Sequence, residues 1–73
     1  MKKVLVFKTS VQKKKQVRYL KPALNQLMSL GEQWNFDLED CDNILRIETH
    51  GIQAQEVSSV LIKKGFYCRE LPY

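Results

Sequence analysis

The sequence is short of nearly every device that staples a small protein. Two of its 73 residues are cysteine, Cys41 and Cys68, and one is histidine, His50. So few thiols and imidazoles exclude a disulfide framework and a metal-finger pattern. Three glycines and two prolines leave no linker, repeat or low-complexity segment. No apolar run approaches the roughly 20 residues that span a bilayer. Met1-Lys2-Lys3 is followed by only four apolar residues, Val4 to Phe7, too few for the core of a signal peptide. Those four read as a strand, and the expected compartment is the cytoplasm. No Ser-His-Asp or Cys-His arrangement, glycine-rich phosphate loop or paired carboxylates can be assembled, so catalysis is not expected.

What is present is a core and a charge pattern. The apolar share is 44%, ordinary for a globular chain. Residues 1–73 make one domain near the lower limit at which a core suffices. Twelve basic and eight acidic side chains give a net charge of +4, suited to nucleic acid, an anionic surface or an acidic protein. The bases gather at Lys2, Lys3, Lys8, Lys13, Lys14, Lys15, Arg18 and Lys21. The stretch from Glu32 to Asp42 holds five acids and no base.

Periodicity supplies the elements. Val4-Leu5-Val6-Phe7 reads as a central strand. Val17, Leu20, Leu24, Leu27 and Met28 share one helix face, with a bend expected near Arg18–Pro22 and Gly31 expected just beyond the C-cap. Trp34, Phe36 and Leu38 alternate with polar residues as in a half-buried strand. Asp40 to Asn43 reads as a hairpin turn, and Ile44 to Glu48 as the returning strand. A short helix carries Val57, Val60 and Leu61 inward and stops at Gly65, and a last strand runs from Phe66 to Leu71. Strand, helix, strand, strand, helix, strand predicts a ferredoxin-like α+β sandwich. It has a four-stranded antiparallel sheet with both helices on one face. That topology gathers three connections at one end: Thr9 to Gln16, Asp40 to Asn43, and Gly65-Phe66. His50 lies at the other end.

Phe7-Lys8-Thr9-Ser10-Val11, then Val17, Pro22 and Leu24, then Trp34-x-x-Asp37, Ile44-Leu45-x-Ile47-Glu48 and Lys63-Lys64-Gly65-Phe66 together resemble the heavy-metal-associated, copper-chaperone-like domains. The resemblance covers nearly the whole chain and rests on order and spacing. It implies a first loop bearing Cys-x-x-Cys for copper(I), and in register those cysteines fall at Lys13 and Gln16, with Lys14-Lys15 between. Soft ions need thiolate, thioether or imidazole ligands, so the resemblance implies a degenerate site at Lys13, Lys14, Lys15 and Gln16 that binds no metal. Two readings of the lysines stand: charges in place of the lost cation, or solvated residues of a loop freed from its ligands.

The functional expectation is a cofactor-free interaction domain whose partner is another protein with an acidic surface. The resemblance adds a link to metal homeostasis. The alternatives are copper-type metal binding or transfer through non-standard ligands, and weak nucleic-acid binding. RNA-recognition domains share the element order but stack bases on aromatics of the central strands, and Ile44-Leu45-Arg46-Ile47-Glu48 has none. Cys68 reads as a buried structural thiol, Cys41 as a free thiol, and His50 as a surface imidazole. Cys41 and Cys68 belong to opposite sheet edges, against a shared metal site. Asp37, Glu39, Asp40 and Asp42 read as a solvated edge. Val4, Val6, Ile44 and Tyr67 fall on the open sheet face as an interaction surface, with a monomer or weak homodimer expected and no membrane.

Overall fold

The computed structural model describes residues 2–39 and 43–72. The expected turn residues Asp40 and Asp42, and Cys41 with them, lie outside the described residues. The elements run β1 (Lys3–Thr9), α1 (Lys14–Leu27), β2 (Gln33–Asp37), β3 (Ile44–Thr49), α2 (Ala54–Lys63) and β4 (Cys68–Glu70). The four strands form one antiparallel sheet in the order β2-β3-β1-β4. β1 is therefore paired on both sides, as its unbroken apolar run requires.

Register sorts the side chains. Leu5, Ile47 and Trp34 form one cross-strand row, and Phe7, Leu45 and Phe36 the next. Leu20 and Leu24 of α1 and Val57 and Leu61 of α2 join that same face in a single buried cluster, with Val11, Ile52 and Cys68. The opposite face carries Val4, Val6 and Lys8 beside Glu48, Arg46 and Ile44.

Several boundaries differ from the sequence expectation. α1 begins at Lys14, with Lys13 as N-cap, so the lysine run starts the helix and the first loop is shorter than Thr9 to Gln16. Lysine is a good helix former, and a capping interaction of Gln16, described below, supports the early start. Pro22 lies within the unbroken helix. It leaves the carbonyl of Arg18 without its helical donor, but both residues are exposed and water can serve that oxygen. α1 ends at Leu27, and Gly31 is no C-cap partner. Its φ of 85° suits the third position of a turn closed by Glu32 N–H on the Ser29 carbonyl at 3.0 Å, where a positive φ is required.

β4 starts at Cys68 rather than Phe66 because the preceding amides are committed elsewhere. The N–H of Phe66 donates to the Leu61 carbonyl at 2.9 Å and that of Gly65 to Ile62 at 3.0 Å. With Gly65 at φ 92°, this is a Schellman termination of α2. Gly65→Ala forces a side chain into the left-handed region and is expected to destabilise by about 1–2 kcal/mol, measurable as a lower urea midpoint with an unchanged slope.

Candidate functional site

Both ends of the sheet are closed by hydrogen bonds of a buried threonine. At the first, Thr9 is buried, and its hydroxyl donates to the Asn43 carbonyl at 2.7 Å while accepting from Val11 N–H at 3.1 Å. Thr9 N–H reaches the same carbonyl at 3.2 Å. Ser10 N–H donates to the Tyr67 carbonyl at 3.2 Å, and Tyr67 N–H to Ser10 Oγ at 2.8 Å. These bonds bring the first loop, the end of the hairpin and the α2–β4 turn together, as the topology predicted.

The start of α1 stands at that end. Gln16 Oε1 accepts from the amides of Gln12 at 2.8 Å and Lys13 at 3.0 Å, a capping interaction from the third helical position. The lysines themselves are exposed and no acid occupies the first turn. An ammonium at the cap position has no acceptor to offer, and cations at the positive end of a helix are repelled by it. The first turn of α1 thus concentrates positive charge and has no acid of its own to offset it.

Beside it runs a groove of about 640 Å³ between α1 and β2, lined by Lys14, Val17, Arg18, Trp34, Asn35, Phe36, Leu38 and Glu39. Trp34 is tied to α1 by its indole N–H on Asn25 Oδ1 at 2.8 Å and meets Phe36 edge to face at 5.9 Å between centroids. Across the helix, Tyr19 is exposed, packs its ring 6.4 Å from that of Phe66, and has Lys64 Nζ 5.5 Å above it.

The other candidates stay apart from this end. Cys68 is buried, with Ser58 Oγ 3.9 Å from its sulfur, and burial raises its pKa, so the thiol form is favoured. β2 and β4 are the two edges of the sheet. His50 is exposed at the far end. Among the described residues no group of three or more His, Cys, Asp or Glu side chains converges, and no helix is long and apolar enough to cross a membrane.

The open sheet face is less apolar than expected. Val6 and Ile44 are 6% exposed, whereas Val4 and Tyr67 are 53% and 52% exposed, so only the last two offer apolar surface. Val6 sits beside Arg46 and receives Leu71 N–H on its carbonyl at 2.8 Å, and Ile44 lies between Lys8 and Asp37. Short branched side chains set among longer neighbours are screened by those neighbours' stems.

Sequence reasoning missed Glu32. Its carboxylate accepts from the Thr49 hydroxyl at 2.5 Å, His50 N–H at 2.8 Å and Ser29 N–H at 2.7 Å. The Thr49 hydroxyl in turn accepts from Gly51 and Ile52 amides. These donors, the Thr49 hydroxyl first, hold the Glu32 pKa down at about 2 from an ordinary 4.5. Nothing in the sequence joins a turn glutamate to a threonine so distant along the chain.

Comparison with family models, with curated proteins and with solved structures found no match for this chain.

Two outcomes follow from these geometries. Because the folded-state pKa of Glu32 lies below its unfolded value, the unfolded chain binds more protons between pH 2 and 4.5, and stability falls as pH falls through that window. Urea midpoints measured at successive pH values are expected to drop there for the wild type and to be flatter for Glu32→Gln. Lys13→Asp supplies the missing acceptor and complements the dipole, and is expected to stabilise by about 1 kcal/mol in the same assay.

Proposed function

We propose that this chain is a non-enzymatic interaction domain that holds an acidic segment of another protein at the N-terminal end of α1. We place its fold in the ferredoxin-like class, supported by the element order, the strand order β2-β3-β1-β4 and the shared core of both helices. We read it further as a heavy-metal-associated-like domain whose metal loop has been replaced, and extend the proposal to metal homeostasis on that likeness alone.

The observation that carries the reading is the first turn of α1. Lys13, Lys14 and Lys15 are exposed there, with no acid in the turn, on a helix end that already favours anions. The donor set argues against metal transfer. Lys13 offers an ammonium, and Gln16 Oε1 already accepts two amide protons, neither being a ligand for a soft ion. Base stacking is disfavoured because the open-face residues of β1 and β3 include no aromatic side chain.

Amide NMR during titration with a glutamate oligopeptide at low salt tests the reading. Shifts that include Lys13–Arg18 are expected, weakening with salt, with affinity falling at least about tenfold in a Lys13→Glu, Lys14→Glu double variant. Absence of any such shifts overturns the proposal. So does tight copper(I) binding in competition with a chelator.

A further inference from the structure

We propose that the outer edge of β2 and the groove beside α1 bind an extended acidic peptide as an added strand. This rests on the reading that an acidic partner meets α1, and adds the path of that partner's backbone.

Three observations converge. First, among the described residues β2 pairs with β3 and no other strand, so its outer edge presents amides and carbonyls outside the sheet ladder, which template another strand. Gln33-Trp34-Asn35-Phe36-Asp37 has neither proline nor lysine to block that edge. Second, the groove floor is apolar and only half-covered: Val17, Trp34, Phe36 and Leu38 all line it and all retain exposure. An added strand places alternate side chains on that floor. Third, the wall is cationic. α1 carries Lys14, Lys15, Arg18 and Lys21 and no acid, and of these Lys14 and Arg18 line the groove.

The spacing of those two cations sets the peptide's pattern. Residues four apart on a helix are neighbours, with Cβ atoms roughly 5–6 Å apart. Alternate residues of an extended chain are about 6.7 Å apart on one face. Carboxylates at every second position, their methylene stems over that floor, can therefore meet Lys14 and Arg18 in turn while the backbone pairs with β2. Glu39, the one acid lining the groove among the described residues, disfavours a uniformly acidic ligand and calls for an apolar or neutral residue at its end. A second copy of this chain fits less well. A two-fold pairing of β2 with β2 brings two α1 helices, each basic and without acid, to one seam, where like charges repel.

Trp34 is the only tryptophan and lines the groove, so its emission reports occupancy. The probe is a short end-blocked peptide alternating glutamate and valine, compared with the same peptide N-methylated at alternate amides and with its lysine counterpart. Saturable change in Trp34 emission is expected, with amide shifts along Gln33–Asp37. Affinity is expected to fall at least about tenfold for the N-methylated peptide and for Arg18→Ala, with the lysine peptide inactive. Equal binding of the N-methylated peptide, with shifts confined to Lys13–Lys15, overturns strand addition and leaves the acidic-partner reading standing. No binding of either glutamate peptide overturns both. Concentration-dependent dimerisation that shifts the same β2 amides without peptide assigns the edge to a second copy and overturns the proposal.

Discussion

The fold depends on β1 being hydrogen-bonded along both edges. β3 lies on one side over six residue pairs and β4 on the other over three, so β1 alone joins the hairpin to the C-terminal strand. Its inward residues are Leu5, Phe7 and Thr9, and Phe7 is fully buried. Truncating a buried phenylalanine typically costs about 3–5 kcal/mol, comparable with the whole stability of a small domain. So much resting on one strand is what a core of this size imposes.

β1 and β3 end by the same device. Each closes on a buried threonine, Thr9 or Thr49, whose hydroxyl accepts from an amide of the next loop. A buried aliphatic follows, Val11 or Ile52. A side chain at the third helical position then reaches back to the N-cap amide, Gln16 to Lys13 and Glu56 to Gln53. The halves differ in charge. The α2 start has an acid in its first turn, whereas the α1 start has none. The far end of the sheet is further anchored by the Glu32 carboxylate on Thr49 and His50. The first turn of α2 is thus complemented by its own acid, whereas the first turn of α1 is not.

The strands, the two helices and the alternation of Trp34 and Phe36 were legible because each rests on local periodicity. Gly65 was legible as a stop because only its positive φ suits that position. The start of α1 was misplaced because the lysines carry no periodic signal; the cue was Gln16, three residues after an N-cap. Gly31 was misassigned because a glycine with positive φ serves a C-cap and a turn equally well. The groove was invisible, since Lys14 and Arg18 meet Trp34 and Phe36 only through tertiary packing. Val6 and Ile44 were correctly placed on the open face, yet their cover by longer neighbours depends on cross-strand register. Glu32 was missed for a related reason: its donors come from residues brought close only by folding.

The charge at the start of α1 conflicts with the rest of the chain's local logic. Both helices recruit a third-position side chain to the N-cap amide, both glycines with positive φ occupy positions that require it, and no buried side-chain polar atom among the described residues lacks a partner. Against that consistency, three lysines on a positive helix end are a local cost that a single serine or aspartate would relieve. Local conflicts of this kind concentrate where binding, rather than stability, selects the residue. An acidic segment laid against α1 would relieve the same repulsion in the proposed complex. The adjoining β2 edge would give that segment a backbone to pair with, and Trp34 and Phe36 a floor. Charge would steer the encounter, while strand pairing and burial would hold the complex.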